Sequence, residues 1–263
     1  MPPADTIPPD VPGPGDITPS DTSPGDVSSS PYKGGWPFNP NKDDHPDPGF
    51  EKCVDGVCIG FGSCDPADND VEGTDWQKPT GCSLKDGLPL PRWQALDQYG
   101  ELVDIYDFIG EGKPIVLDVA TTTCDPCMSL AAFFSTGDTS TTTEHAEFPL
   151  TSFGWWNPEY EVVLELINTD QIRWITIVWS PCIEDGPNPV AEAKVAGWHE
   201  EWPHSKIPVL ADGDCKMMQY LNVSAMPHIV VLDENLVFTT YATNGPYKGM
   251  KALVELFNTL SNL

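Results

Sequence analysis

Cys124 and Cys127 stand three residues apart in the stretch IVLDVATTTCDPCMSL, which runs from Ile115 to Leu130. An apolar run leads into them and a second apolar pattern follows. A thiol pair at this spacing has three chemical uses: dithiol–disulfide exchange, half of a metal site, or a covalent staple. The residues from Cys124 onward read as the start of a helix. A cysteine there faces unpaired backbone N–H groups and the positive end of the helix dipole. Both favour the thiolate, which is the nucleophilic form. On that reading Cys124, nearer solvent, attacks a disulfide. Cys127, one turn further on and more buried, then resolves the mixed disulfide.

The elements that must position this pair follow from periodicity. PIVLDVA is a continuous apolar strand broken by one acid, and CDPCMSLAAFFS is a helix with Ala131, Phe133 and Phe134 turned inward. NPEYEVVLELINTD carries helical spacing at Val162, Val163, Leu166 and Ile167 after the start signal Asn157–Pro158. IRWITIVWS and IPVLAD read as buried strands, with a helix over NPVAEAKVAGWHEEW between them. DCKMMQYLNV is a short helix, HIVVLDENLVFTTYA a hairpin turning near Glu234–Asn235, and GMKALVELFNTL an amphipathic helix. Further upstream, ELVDIYDFIG is a short strand and a turn. Strands alternating with helices predict crossover connections and a mostly parallel sheet, closed by the hairpin.

This order resembles the thioredoxin-like superfamily, in the extended form of TlpA/ResA-type redoxins and peroxiredoxins. The resemblance spans about Gln98 to Leu260, less an insertion from about Thr136 to Trp156. Three matches carry it: Cys124-Asp125-Pro126-Cys127 between strand and helix, Asp118 six residues before Cys124, and the stretch SAMPHIVVLD. It implies an α/β thioredoxin-like fold, a central mixed sheet flanked by helices. It further implies a redox pair at Cys124 and Cys127, a buried acid at Asp118 and a cis-proline at Pro227. Such an acid, in apolar surroundings, has a raised pKa and can exchange a proton with the Cys127 sulfur. Pro227 lacks an N–H and would leave its neighbour's backbone open to a substrate strand. Met226, Thr123 and Pro126 would line that substrate face. The chain departs from the family pattern at Thr123, where a Trp is usual, and at Asp125, where Gly is common. A carboxylate beside Cys124 opposes thiolate formation, so Cys124 is expected to be less acidic than in strong oxidants of this fold. The insertion, with Trp155–Trp156, either roofs the site or packs on the core, and packing is the expectation. A copper site of Cys124, Cys127 and His228 would need His228 turned toward the sulfurs. An edge contact is the plainer role for that histidine.

Composition narrows the partners. Among 263 residues the formal net charge is −27, which argues against nucleic acid, since phosphate binding needs Lys/Arg clusters. No run reaches the apolar length of a membrane span. Met1 leads directly into PPADTIPPD, with no signal peptide, and the chain reads as one whose export signal has been removed. Eight cysteines, an even set in an acidic, loop-rich chain, fit an oxidising compartment. Three regions are expected. Residues 1–31, rich in Pro, Asp, Ser and Thr, form a disordered tether like those behind the lipid-bearing cysteine of bacterial surface lipoproteins. Residues 32–92 form a cysteine-rich loop segment, and residues 93–263 form the thioredoxin-like domain.

In the middle region Cys53, Cys58, Cys64 and Cys82 read as two structural disulfides replacing a core, with connectivity open. Their spacing lacks the paired knuckles of a four-cysteine zinc site. Asp68, Asp70 and Glu72 imitate the first half of a calcium loop, but Pro79 stands where its closing Glu belongs, so an acidic turn is the plainer reading. Cys182 and Cys215 follow two strands expected to be parallel neighbours, which end at the same sheet edge. A structural disulfide is expected there, a second redox pair being the sharper alternative. The whole predicts an exported thiol–disulfide oxidoreductase exchanging electrons with protein substrates or a redox partner. It needs no organic cofactor, and it is tethered at a bacterial surface by a possible lipid anchor upstream. The alternatives are a redox-weak binding module on the same scaffold and a thiol peroxidase. Thr121 matches half of the peroxidatic Thr-x-x-Cys pattern, with no arginine placed to complete it.

Overall fold

The computed structural model describes residues 30–50, 84–180, 189–242 and 245–262, together with the backbone of 52–54 and 57–59. That backbone forms an antiparallel hairpin of β1 (Lys52–Val54) and β2 (Val57–Ile59), with Cys53 in register with Cys58. Cys64, Cys82, Cys182, Asp68, Asp70 and Glu72 lie outside the described residues, as do the side chains of Cys53 and Cys58.

A second hairpin follows, β3 (Gln94–Leu96) with β4 (Leu102–Asp104). The next strands and helices in chain order are β5 (Ile115–Ala120), α1 (Asp125–Thr136), α2 (Val162–Asn168), β6 (Arg173–Trp179), α3 (Pro189–Glu201) and β7 (Val209–Asp212). The chain ends with α4 (Lys216–Tyr220), β8 (His228–Leu232), β9 (Phe238–Thr240) and α5 (Tyr247–Leu260). Five strands make the central sheet, in the order β7-β6-β5-β8-β9. The first three run parallel, and β8 and β9 are antiparallel additions. This is the thioredoxin-like fold, a mixed sheet flanked by helices, and the expected parallel run closed by a hairpin is present.

Alternation along β5 divides the core. Ile115, Leu117 and Val119 face one side, packed with Tyr106, Phe108, Leu210, Met217 and Phe238. Val116 faces the other side with α1, α2 and α5 residues such as Leu130, Phe134, Leu166 and Leu253. Ala120 shares that second side with Cys127, Val178 and the α3 residues Val195 and Trp198. By the same alternation Asp118 lies on the α1 side. The helix α5 approaches β8 closely at Gly249, where an added Cβ would sit 2.5 Å from the Ile229 carbonyl oxygen. Gly249→Ala should therefore push α5 off the sheet and cost about 2 kcal/mol, read from the urea midpoint.

The first face has a cover that periodicity did not signal. Residues 30–50 contribute Trp36, which is buried against the core and donates from Nε1 to Asp97 Oδ2 at 2.8 Å. Tyr32 and Lys42 both bond Asp107, at 2.5 and 2.7 Å, and Arg92 bridges Asp104 and Asp43. Asp104 caps the 3-10 turn Ile105–Phe108 by accepting from the Tyr106 N–H. The acids of this strand and turn thus anchor a segment that precedes them by about sixty residues in sequence.

Candidate active site

The helix α1 starts where the local chemistry predicts. Cys124 is its N-cap, Pro126 sits in its first turn, and Gly137 closes it at a left-handed φ of 75°. Cys124 and Cys127 are joined as a disulfide, with Cα atoms 5.3 Å apart. The Cys127 N–H donates to Cys124 Sγ at 3.3 Å, so the helix end already points a donor at the sulfur. Cys124 is partly exposed, whereas Cys127 is 2% exposed. Of the flanking residues, Thr123 and Asp125 are exposed and Pro126 is partly buried.

Asp118 is buried on the same side of the sheet as α1. Burial pushes its carboxyl up to about 7, with the Trp174 and Thr176 side chains pulling the other way. Its Oδ1 has no hydrogen-bond partner among the described residues. Ala131 and Phe134 of α1 reach into the same crevice as Asp118. Ala131 follows Cys127 by one helical turn, so the crevice that Asp118 lines adjoins the turn of α1 after the buried sulfur.

The Met226–Pro227 peptide bond is cis. Met226 packs on the same cluster as Cys124, which also contains Cys127 and Met128, and this brings the β8 entry up to the disulfide. Pro227 is buried and Met226 partly exposed. His228 goes elsewhere. It pairs with Val119 in the ladder and so faces away from α1, buried, with its ring 6.3 Å from that of Tyr241. Burial lowers it to about 4, and neither ring nitrogen has a partner among the described residues. It is neither an edge contact nor a ligand to the sulfurs, because strand alternation turns it to the opposite side of the sheet. Among the described residues no cluster of His, Cys, Asp or Glu is placed to hold a metal ion.

Residues 137–156, inserted after α1, pack rather than roof the site. Trp156 lies edge-on to Phe133 at 5.4 Å, and Ser129 Oγ donates to the Phe148 carbonyl. Thr143 and His145 both bond Glu201 of α3, tying the insertion across the helices. At the neighbouring strand end Cys215 is buried and disulfide-bonded, and Trp179 Nε1 donates to its sulfur at 3.3 Å. The expected partner, Cys182, lies outside the described residues. Sequence reasoning missed Asp212, a buried acid at the end of β7. It accepts from the N–H groups of Met217 and Met218, and burial raises it to about 7. The acid in IPVLAD was the available signal. Its position at the strand end, before Cys215, parallels that of an N-terminal helix cap.

No protein-family model matches the chain, and no curated protein does. Solved structures do resemble it. The thioredoxin domain of a thiol-disulfide oxidoreductase from Bacteroides vulgatus is 17% identical, over 68% of this chain and 98% of that one, with a TM-score of 0.40. An exposed lipoprotein thioredoxin from Streptococcus pneumoniae is 16% identical over 64% and 98%, with a TM-score of 0.40. The peroxidoxin BcpB from Mycobacterium tuberculosis is 12% identical over 68% and 99%, with a TM-score of 0.42. Likeness at this level does not carry function across. The fold rests on strand order and direction, and the chemistry rests on the groups around the sulfurs.

Proposed function

We propose that this protein is a thiol–disulfide oxidoreductase that exchanges electrons with protein disulfides through Cys124 and Cys127. The observation that carries this reading is an asymmetric disulfide at a helix start, one sulfur partly exposed and the other buried, with the cis Met226–Pro227 bond beside it and a buried carboxyl, Asp118, on the same side of the sheet. Cys124 is the attacking sulfur and Cys127 the resolving one. Asp118 takes the Cys127 proton as resolution begins. Pro227 and Met226 hold the substrate strand beside the pair, with Thr123 and Pro126 on its other side. The acidic chain, with a Pro-rich residue 1–31 stretch as tether, suits work outside the cytoplasm at a bacterial surface. No described helix is long and apolar enough to cross a membrane. On this reading the attachment is a lipid anchor upstream. Segment 32–92 is the cysteine-rich loop region of this reading and 93–263 its thioredoxin-like domain.

A thiol peroxidase is the weaker reading for a specific reason. The chain has two arginines, Arg92 and Arg173. Arg92 is held by Asp104 and Asp43. Arg173 is held by Glu111 at the start of β6, the opposite end of the parallel strands from Cys124. Neither is placed to polarise a peroxide.

The test is a redox titration. The protein is equilibrated in dithiothreitol buffers of graded potential, and free Cys124 and Cys127 are counted by alkylation. A catalytic couple should titrate between about −270 and −120 mV, the span of exchange-active pairs of this kind. Because Asp125 opposes the Cys124 thiolate, the midpoint should fall in the lower half of that span. A midpoint below about −300 mV, the range of structural disulfides, would sink the proposal in favour of a passive scaffold.

A further inference from the structure

If Asp118 accepts the Cys127 proton, as the proposed function requires, that proton must afterwards leave a buried carboxyl. Between α1, β6 and α3 a small crevice, of the order of one water molecule, is lined by Asp118 and, toward α3 and the loop after it, by Thr176, Trp198, His199, Trp202 and His204. Three buried polar atoms of these residues have no partner among the described residues: Asp118 Oδ1, His199 Nδ1 and Trp202 Nε1. Native proteins leave few buried polar atoms unpaired, and ordered water satisfies those that protein groups do not. Three such atoms on one crevice point to water held between them.

The two histidines differ in what their nitrogens are free to do. His204 Nδ1 already accepts from the Lys206 N–H at 3.2 Å. His199 lines the crevice and its Nδ1 is buried without a partner among the described residues, while its Nε2 lies 3.3 Å from the Tyr99 hydroxyl at the protein surface. Its ring thus spans the wall between Asp118 and solvent. Asp97, Tyr99, Asp118 and His204 are the ionisable groups around it. Burial lowers the pKa of His199, with Asp97 pulling the other way, so the ring is neutral near neutral pH and able to accept a proton.

We propose that His199 is the proton port of Asp118, joined to it by crevice water. In the mixed disulfide the Asp118 carboxylate takes the proton from the Cys127 thiol. The Cys127 thiolate attacks Cys124 Sγ, the Cys124–Cys127 bond forms, and the substrate thiolate leaves with the electron pair. The Asp118 proton then passes through water to His199 Nδ1, and His199 gives up its Nε2 proton to solvent beside Tyr99. One proton has moved from Cys127 to bulk, and the ring returns to its starting tautomer on exchange with water. His199 touches neither sulfur and is a positioning residue for the proton.

The test is steady-state turnover of the protein between dithiothreitol and a small peptide disulfide, in which Asp118 must lose its proton in every cycle, compared between wild type and His199→Gln. The variant should react about five- to tenfold more slowly near pH 6.5, and added imidazole should restore the rate. The potential of the couple should not change, and imidazole should leave the wild type unaffected. Equal rates across the pH range would overturn the proposal. So would a slow variant that imidazole does not rescue. A wild type that exchanges no electrons would sink the functional reading itself, whereas an active wild type with an unaltered His199→Gln would sink only the port. Should His199→Gln fail to fold, the proton inventory of the wild type in mixed H2O and D2O decides. A curved inventory from two or more moving protons supports the relay, and a linear one from a single proton overturns it.

Discussion

Cys124→Ser should reduce insulin no faster than dithiothreitol alone, and Cys127→Ser should accumulate as a covalent complex with its substrate. The two cysteines are expected to fail differently because they sit differently. Cys124 is partly exposed and caps α1, where the Cys127 N–H already points at its sulfur. A serine hydroxyl there keeps the cap but is a far weaker nucleophile than a thiolate, so the first attack is lost. The expected loss is about a hundredfold or more over background. Cys127→Ser leaves that attack intact and removes the group that resolves it, so the mixed disulfide persists until an outside thiol breaks it. Non-reducing electrophoresis after exposure to an oxidised protein substrate reads the trapped complex directly. If Cys124→Ser matches the wild type, the binding-module reading replaces the enzyme.

The second large effect concerns stability. Asp118→Asn should stabilise the oxidised protein by about 4 kcal/mol near pH 8 and by almost nothing near pH 4. The folded carboxyl titrates at about 7, while an unfolded chain ionises near the ordinary 3.8. Between those values the folded state binds more protons than the unfolded one. Stability from this group is therefore complete below about pH 4 and is lost as pH rises through 7. Asparagine carries no such proton, so the gap between variant and wild type opens over that window and then stays constant. Urea midpoints across the range measure it. Asp212, buried and raised in the same way, should leave the variant with its own decline over the same window. The same substitution should slow mixed-disulfide resolution about a hundredfold, since Cys127 loses its proton acceptor. A stabilised variant with unchanged resolution would make Asp118 a purely electrostatic burden on the fold.

What was legible in the sequence was local. Apolar spacing located β5, β6, β7 and β8, and the helices α1 and α5, because a buried strand or helix must repeat its own geometry. Helix-capping physics put Cys124 at the start of α1 and Cys127 in its first turn. Asn157 did open its element, but as a 3-10 turn over Pro158–Glu161 that passes into α2 only at Val162. The Asn157 side chain accepts from the Glu159 N–H, and this tight first turn is invisible to apolar periodicity.

Other features depended on contacts between distant parts of the chain. Trp36 reaches Asp97, and Tyr32 and Lys42 reach Asp107, although residues 30–50 have no repeating apolar pattern. His228 follows the cis proline in sequence, yet its pairing with Val119 sends it to the side away from α1. His199 and His204 come from α3 and the loop after it, and only the packing of α3 over β6 and β7 brings them to the Asp118 crevice. Thus the residue order by itself determined the strand, the helix and the two sulfurs at their junction, since these obey the stereochemistry of neighbouring residues. The resemblance already named Asp118 as the buried acid, while the assembled sheet alone decided that His228 turns away from the sulfurs and that His199 lines the crevice of that acid. Those relations are set by which faces of remote elements exclude solvent together.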